Sequence, residues 1–317
     1  MEEEKYVVVI GAANIDIGGF PYNDLILADS NPGSISIGYG GVGRNISHNL
    51  TKLGIKVKLI TAIGGDVLGA GLKDQCIYEG IDMSHIISVP ELNSSTYMYI
   101  NDRKGDMHIA ISHVDIVNCI TPEVIDDLSD VINGSEMVIA DCNLSHETLM
   151  HIKDICKVPL CIDPVSQTHS LKIQNNLDGL YMIKPNRLEA ELLTGISINK
   201  EEDYIEAAHN ILDQGVSMVF ISMGDKGILA AARDQYDNKN IIIEEAEHID
   251  VVSTTGAGDS ATAAVIWSLL GSSDKTSAGT LRSAAKAANA AASLTITSPY
   301  TISDDLSEDS LLKIINR

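Results

Sequence analysis

A run of small residues that ends in an aspartate, Thr-Gly-Ala-Gly-Asp at 255–259, precedes an apolar helical stretch at 265–270. Small residues let backbone N–H groups crowd together at a helix N-terminus, where unpaired donors and the positive end of the helix dipole favour an anion. A carboxylate there suits proton removal from an acceptor group while the N–H groups stabilise a transferring phosphoryl group. An aspartate that only stabilises the first helical turn is the alternative, and the rarity of the run favours the catalytic interpretation.

A glycine-rich run, Gly-Tyr-Gly-Gly-Val-Gly-Arg-Asn at 38–45, lies nearer the start of the chain. It satisfies the dinucleotide-binding pattern G-x-G-x-x-G, and Asp66 follows at a distance that suits a ribose-binding acid. The run follows a segment of alternating polarity, whereas the first buried strand leads into Gly-Ala-Ala-Asn-Ile-Asp at 11–16. A dinucleotide site is therefore the less favoured alternative.

Polar side chains follow two of the apolar strands. Asn14 and Asp16 come at the carboxyl end of the first strand, where open α/β sheets bind their ligands. In extended chain the two face the same way, which suits neighbouring ring hydroxyls, although a polar turn after a strand is the alternative. Asp141 follows a later strand and is a weaker candidate, and Asn143 beside it is equally suited to capping the next helix.

Three further features suit a nucleotide but have structural alternatives. Asn186 and Glu189 have the spacing of a helix capping box, and the spacing alone favours that role. The run Ser-Met-Gly-Asp-Lys-Gly at 222–227 is by itself only a turn signal after a buried strand. Asn289 lies in an alanine-rich segment at 284–292 that would otherwise be a tightly packed core helix.

The runs at 255–259 and 40–45 resemble, in the same order along the chain, the two signatures of the ribokinase-like (PfkB) sugar kinases. The resemblance covers the chain from Val8 onward and implies ATP-dependent phosphorylation of a hydroxyl group with Asp259 as general base. It implies an anion hole formed by Gly256, Ala257 and Gly258. It assigns sugar binding to Asn14, Asp16, Gly41 and Asn45, with Thr96 as a lid contact and Asp141 as a further candidate.

The same resemblance assigns the nucleotide side of the site. It gives ATP binding to Asn186, Ser222, Gly224, Gly227 and Asn289. Glu189 is the residue that would orient Mg²⁺ through water. Ser253 departs from the family, whose aspartate at this position helps to ligate a monovalent cation in many members. Because a serine oxygen is neutral, we expect weak or no activation by K⁺.

Shorter phrases narrow the expected substrate. Those at 11–16, 43–45, 140–143, 162–166 and 184–191 together resemble the branch of the family that phosphorylates the 5'-hydroxyl of pseudouridine. His169 departs from that branch, which has Lys at the position. The alternatives are a kinase for another nucleoside or ribose and, in a different class, a catalytically inactive sensor that binds a nucleoside or sugar.

The pattern of apolar residues predicts the elements that position these residues. Short buried strands are expected at 6–10, 57–63, 137–140, 159–162, 179–183 and 218–221, with helical patterns between several of them. This alternation predicts an α/β fold with a mostly parallel central sheet covered on both faces. Together with the resemblance, it predicts a ribokinase-like three-layer fold in one domain, 1–317. Period-two stretches predict a small β-sheet lid formed by segments at about 18–39 and 93–115.

Composition limits the partners. The chain has 22 Lys and Arg against 44 Asp and Glu, a formal net charge of −22, which argues against nucleic acid or an anionic membrane as partner. The five cysteines include no C-x-x-C pair, and no apolar run is long enough to span a membrane, so we expect a cytoplasmic protein. Exposed apolar lid strands predict a homodimer clasped through Tyr97, Tyr99, Ile109 and Ile111.

Overall fold

The computed structural model describes residues 5–234, 236 and 238–316. Its strands are, in chain order, β1 (Val7–Ile10), β2 (Asn14–Pro21), β3 (Gly33–Gly40), β4 (Val57–Ile60), β5 (Ala62–Gly64), β6 (Ile87–Val89), β7 (Thr96–Asn101), β8 (Met107–His113), β9 (Met137–Asp141), β10 (Leu160–Asp163), β11 (Met182–Ile183), β12 (Met218–Ser222), β13 (Ile228–Arg233) and β14 (Lys239–Glu244).

The α-helices are α1 (Val42–Lys52), α2 (Val67–Tyr78), α3 (Pro122–Asp127), α4 (Ser129–Asn133), α5 (His146–Ile155), α6 (Gln167–Ser170), α7 (Arg187–Thr194), α8 (Glu201–Asp213), α9 (Ala257–Leu270), α10 (Ala278–Ile296) and α11 (Glu308–Ile315). Among the residues that the structure describes, two short 3₁₀ helices occur, at Asp115–Cys119 and Gly224–Lys226. No helix of the described part of the chain is long and apolar enough to cross a membrane.

The main sheet is eight-stranded, in the order β14-β13-β12-β11-β10-β9-β1-β4. In this order the six strands β12, β11, β10, β9, β1 and β4 are parallel to one another. At the other end of the sheet, β13 pairs antiparallel with β12, and β14 pairs antiparallel with β13. The predicted strands occur at all six positions, but the stretch at 57–63 divides into β4 and β5, and only Met182–Ile183 forms a strand within 179–183. The strands β13 and β14 are not among the elements predicted from the sequence.

Helices pack on both faces of this sheet, so its central strands are buried on both sides. In β1, Val8 and Ile10 belong to the core cluster that includes residues of α5, α7 and α8. Val7 and Val9 point the other way, into the cluster that includes residues of α1, α9 and α10. This arrangement accounts for the continuous apolar runs. The predicted mostly parallel sheet, the small separate sheet and the helices on both sides are confirmed.

The lid is a four-stranded sheet in the order β3-β2-β7-β8. Its strands cover Asn14–Pro21, Gly33–Gly40, Thr96–Asn101 and Met107–His113, so the lid begins earlier than the expected residue 18. The first buried strand is therefore followed almost at once by a lid strand, and Asn14 and Asp16 open that lid strand. They do not end the first strand, as the sequence had suggested, but they still lie beside its carboxyl end.

Cross-strand register separates the lid into an aromatic face and an aliphatic face. Asp16 pairs with Tyr97, and Gly18 pairs with Tyr99, so both tyrosines share the face of Asp16, which we call the aromatic face. The opposite, aliphatic face presents the exposed residues Ile35, Ile37, Met98, Ile100, Ile109 and Ile111. The expectation that Tyr97 and Tyr99 join Ile109 and Ile111 in one contact surface is therefore wrong, because the two pairs lie on opposite faces.

Candidate active site

Charged side chains gather where the parallel strands of the main sheet end. Asp141 and Asp163 are the last residues of β9 and β10, and Lys184 directly follows β11. All three are buried. Because the carboxyl ends of parallel strands meet at one edge of a sheet, this is where an open α/β fold places its ligand.

Asp259 reaches this edge from the first turn of α9. The helix is capped by Gly256, whose φ of 83° is left-handed, and a Cβ there would lie 2.0 Å from the carbonyl oxygen of Thr301. Only glycine fits that backbone, so Gly256 is explained by the close approach of the C-terminal segment. Asn45 Nδ2 donates a hydrogen bond of 2.8 Å to Asp259 Oδ2 and so joins α1 to α9.

The electrostatics of the site raise the pKa of Asp259 from its usual value of 3.8 to about 7. Burial contributes most, and the negative charges of Asp163 and Asp141 add to it, whereas the hydrogen bond from Asn45 and the charge of Lys184 lower the pKa. A carboxyl group with a pKa near neutrality can accept a proton and release it again at physiological pH. The arrangement therefore gives Asp259 the properties of a general base.

Asp163 and Lys184 are functional candidates that the sequence reasoning missed. Asp163 accepts hydrogen bonds from Thr262 Oγ1 at 2.9 Å and from the N–H of Val165 at 3.0 Å. The ammonium of Lys184 lies 3.9 Å from the position that a Cβ of Gly258 would take. The signal that could have identified both residues was their position, since each stands at the carboxyl end of a predicted buried strand.

The predicted sugar-binding residues lie where the start of β2 meets the start of α1, and we call this part the sugar side of the site. Asn14 pairs with Gly40, which is the last residue of β3, and the turn at Gly41 then leads into the helix that carries Asn45. Gly41 has a φ of 93°, and a Cβ there would lie 2.5 Å from the carbonyl oxygen of Ala12. Three of the predicted sugar ligands, Asn14, Asp16 and Asn45, are thus brought together around one tight turn.

Two of these side chains have features of a binding site. The Oδ1 atom of Asn14 is buried and, within the described residues, accepts no hydrogen bond, which is costly unless a ligand supplies a donor. Burial raises the pKa of Asp16 to about 6, and the charge of Arg44 opposes that rise. An acceptor without a partner beside a carboxylate suits neighbouring hydroxyl groups.

Asp141 and Thr96 do not point to the sugar side as expected. Asp141 Oδ2 accepts hydrogen bonds from the N–H groups of Ala12 at 2.9 Å and Gly43 at 2.8 Å, and Oδ1 accepts one from Asn143 at 2.9 Å. Its carboxylate therefore fastens the glycine-rich turns to the sheet. Thr96 pairs with Ile15, so it lies on the face opposite Asp16 and Tyr97. The following helix, α5, is capped by Ser145 and not by Asn143.

The residues predicted to bind ATP line a cavity of about 830 Å³, a volume within the usual range for small-molecule sites. Gly258 and Asp259 line it, together with all of the predicted ATP-binding residues: Asn186, Ser222, Gly224, Gly227 and Asn289. The backbones of Ser222 and Asn186 form an isolated parallel β-bridge. The Nδ2 group of Asn289 donates hydrogen bonds to the carbonyl oxygens of Glu244 at 3.0 Å and Glu245 at 3.1 Å.

Glu189 is buried and forms the capping box that the spacing suggested. Its two carboxylate oxygens accept hydrogen bonds from the backbone N–H and the side-chain amide of Asn186, at 2.9 and 2.8 Å. Burial raises the pKa of Glu189, with a further rise from Asp163. Within the described residues, no group of three or more acidic, histidine or cysteine side chains could hold a metal directly. A role for Glu189 toward Mg²⁺ therefore requires intervening water or phosphate oxygens.

The dinucleotide alternative finds little support in this geometry. The glycine-rich run begins inside the lid strand β3 and not at the end of a strand of the main sheet. Asp66, the candidate ribose-binding acid, caps α2, where its carboxylate accepts hydrogen bonds from the N–H groups of Gly69 at 2.7 Å and Ser94 at 2.5 Å. Both features of the pattern are explained by local structure.

The two departures from the expected sequence pattern have local partners. His169 Nδ1 lies 2.7 Å from the hydroxyl of Ser166, which caps the same short helix, α6. Lys172, three residues later, donates to the carbonyl oxygens of Cys142, Asn143 and Leu144. Ser253 accepts a hydrogen bond of 3.3 Å from the N–H of Thr255. The expectation of weak K⁺ activation stays a prediction.

The chain is similar to known proteins in both sequence and fold. The family model described as pfkB family carbohydrate kinase matches residues 4–308. A pseudouridine kinase of Escherichia coli is 38% identical over 260 residues, which are 82% of each chain. A carbohydrate kinase from Agrobacterium tumefaciens superposes with a TM-score of 0.85 at 26% identity, over 99% of this chain and 97% of the other. An Arabidopsis thaliana ribokinase, solved with ribose and ATP, gives 0.79 at 22% identity over 99% of both.

Arg44 is a further residue that the sequence reasoning did not single out. Its guanidinium is buried and donates hydrogen bonds to both carboxylate oxygens of Glu79, the residue directly after α2. It also donates to the carbonyl oxygen of Tyr39, in lid strand β3, at 2.9 Å and to Asn45 Oδ1 at 3.3 Å. Arg44 therefore connects the lid, α2 and the amide that holds Asp259.

Replacing Arg44 by Lys should weaken this connection while keeping the charge. A lysine ammonium cannot bond both oxygens of Glu79 in a fork and also reach Tyr39 and Asn45. Loss of hydrogen bonds to a charged group predicts a fall in kcat/KM of about ten- to a hundredfold, with the KM for ATP little changed. Steady-state kinetics measure this, with Arg233→Lys at the end of β13 as the matched control. Unchanged kinetics in a folded Arg44→Lys protein would contradict the positioning role.

Proposed function

Because the chain belongs to the pfkB family of carbohydrate kinases, and so is a phosphotransferase with an alcohol group as acceptor, we propose that it transfers phosphate from ATP to the 5'-hydroxyl of pseudouridine. The observation that carries the proposal is the hydrogen bond between Asn45 and Asp259, which unites the sugar side with the N-terminus of α9. The E. coli relative named pseudouridine kinase supports the choice of nucleoside. Because ATP is the donor, the reaction is assigned to the cytoplasm.

The proposed reaction is a direct displacement at phosphorus. Asp259 accepts the proton of the 5'-hydroxyl, the hydroxyl oxygen forms a bond to the γ-phosphorus, and the bond from that phosphorus to the β-phosphate oxygen breaks, which releases ADP. Backbone N–H groups at Gly256, Ala257 and Gly258 stabilise the charge on the transferring group. Mg²⁺ bound with ATP would supply positive charge to the phosphate oxygens, with Glu189 as its water-mediated partner.

Lys184 extends this proposal. The site contains the buried or partly buried carboxyl groups of Asp163, Glu189 and Asp259, and Lys184 is the cation whose charge lowers the pKa of both Glu189 and Asp259. Its ammonium lies beside Gly258, at the start of the anion hole. A lysine in this position binds phosphate as a point charge. We assign it to the transferring phosphoryl group, which would otherwise approach three acidic side chains.

The substrate assignment predicts a ranking among acceptors. Pseudouridine carries one more ring N–H than uridine, and a site that pairs this donor loses about 1 to 3 kcal/mol when it is missing. We expect kcat/KM for pseudouridine to exceed that for uridine by roughly ten- to a hundredfold and that for ribose by more. An ATP-coupled assay with pseudouridine, uridine, inosine, guanosine and ribose measures the ranking.

The control for that panel is Asp259→Asn, which keeps the shape of the side chain and removes the proton acceptor. It should lower kcat by at least ~10² while nucleoside binding is nearly retained. Equal kcat/KM for pseudouridine and uridine, or a preference for ribose or a purine nucleoside, would contradict the substrate and leave the kinase assignment standing. Nucleoside binding without ADP formation from any acceptor would support a sensor instead.

We propose further that the aliphatic face of the lid pairs with the same face of a second copy. Its six large side chains are exposed, from 38% for Ile100 to 76% for Ile35, and none of them is charged. A self-complementary apolar face suits a two-fold dimer, and two chains of net charge −22 can meet there without opposing like charges within the contact.

The dimer proposal predicts the effect of a charge on this face. Sedimentation at micromolar concentration should show a dimer for the unchanged protein and a monomer for Ile111→Glu, since burying an unpaired carboxylate is unfavourable. Tyr236→Glu, in an exposed turn between β13 and β14, adds the same charge elsewhere and should remain dimeric. A fully active monomer before any substitution would exclude the interface.

A further inference from the structure

The aromatic face of the lid carries a cluster of rings next to the predicted sugar ligands. The rings of Tyr97 and Tyr99 lie 5.8 Å apart at an interplanar angle of 35°. Phe20 approaches Tyr99 edge-on, with 6.1 Å between the ring centroids. Aromatic residues make up only 4% of the chain, so three on one face of a small sheet are more than this composition leads us to expect. The same face carries Asp16, which pairs directly with Tyr97.

Small residues surround the two tyrosines in the register of the lid. Tyr97 lies in a row with Gly38, Asp16 and Ser112. Tyr99 lies in a row with Ser36, Gly18 and Ala110. The tyrosine rings therefore stand above a floor of glycine, serine and alanine.

That floor leaves space beside the rings. A Cβ at Gly38 would have no atom within 4 Å, so the position next to Asp16 is open. A Cβ at Gly18 would lie 2.7 Å from the ring of Tyr99, which shows that Tyr99 leans over Gly18. The hydroxyl of Tyr97 donates a hydrogen bond of 3.3 Å to the sulfur of Met107. The combination of fixed rings and open floor fits a flat molecule.

We propose that Tyr97 and Tyr99 form a stacking site for the planar base of a nucleoside whose ribose is held by Asn14 and Asp16. This inference rests on the proposed nucleoside kinase function and names the part of the site that separates nucleosides from free sugars. Every base has a flat face that can stack on an aromatic side chain, whatever hydrogen-bonding groups the base carries. The stacking site therefore selects for the presence of a flat base, and other contacts select which base is bound.

The test replaces each tyrosine by Leu and, separately, by Phe. Loss of a base–aromatic stack predicts that Tyr99→Leu and Tyr97→Leu each lower kcat/KM for pseudouridine by about ten- to a hundredfold. Tyr99→Phe keeps the ring and should restore most of the activity. Phosphorylation of ribose, which has no base, should change by less than about threefold in every variant. Tyr236→Leu, in the exposed turn far from the lid, is the matched control and should act like the unchanged protein.

Two outcomes overturn the stacking site. One is an equal fall for ribose and pseudouridine in the Leu variants, which would mean that the tyrosines only stabilise the lid. The other is no fall for either compound. Calorimetric binding of pseudouridine, uridine, inosine and ribose without ATP separates this proposal from the function above. A protein that prefers another nucleoside, and loses that preference over ribose in Tyr99→Leu, refutes the pseudouridine assignment and supports the stacking site.

Discussion

The hydrogen bond from Asn45 to Asp259 is the interaction on which the rest of the site depends. It joins the first turn of α1, which follows lid strand β3, to the first turn of α9, which carries the proposed anion hole. The glycine-rich turn before α1 is tight because Asp141 binds the N–H groups of Ala12 and Gly43. The turn before α9 is tight because Gly256 meets the carbonyl of Thr301. Both glycine-rich runs therefore serve to bring two helix N-termini together over one sheet edge.

That sheet edge has more negative than positive charge, and this imbalance shapes the chemistry. Asp163 and Asp141 are buried and raise the pKa of Asp259, and Asp163 also raises the pKa of the buried Glu189. Lys184 is the opposing cation for both groups. Burial, and to a lesser extent repulsion from the neighbouring carboxylates, raises the pKa of Asp259 to about 7, where a proton is readily taken up and released. A phosphoryl group that enters such a site needs the helix N–H groups and accompanying cations, which explains why anion-binding turns and acidic side chains occur together.

Much of this arrangement followed from the sequence because it is local. The run at 255–259, the Asn186 and Glu189 capping box, and the central buried strands are all short-range patterns that the structure retains. Register is not local, so alternation within β7 and β8 could not tell that Tyr97 and Ile111 lie on opposite faces. Arg44 was missed for a similar reason, since its partner Glu79 is distant in sequence. The strand β13 has the sequence Ile-Leu-Ala-Ala-Ala-Arg. Because alanine favours helices, this sequence does not predict a strand, although the strand is buried.

The pH dependence of kcat/KM, in the unchanged protein and in Asn45→Ala, tests the central role of Asp259 most directly. A base must be deprotonated to act, so kcat/KM should fall as the pH drops through the pKa of about 7 given by the site. The hydrogen bond from Asn45 lowers that pKa, and its removal should therefore move the fall to higher pH. The pKa of Asp16, about 6, is set by burial and by the charge of Arg44, not by Asn45, so a fall governed by Asp16 would leave the midpoint unmoved. A profile without a fall between about pH 5.5 and 8.5, or one with the same midpoint in both proteins, would contradict the account.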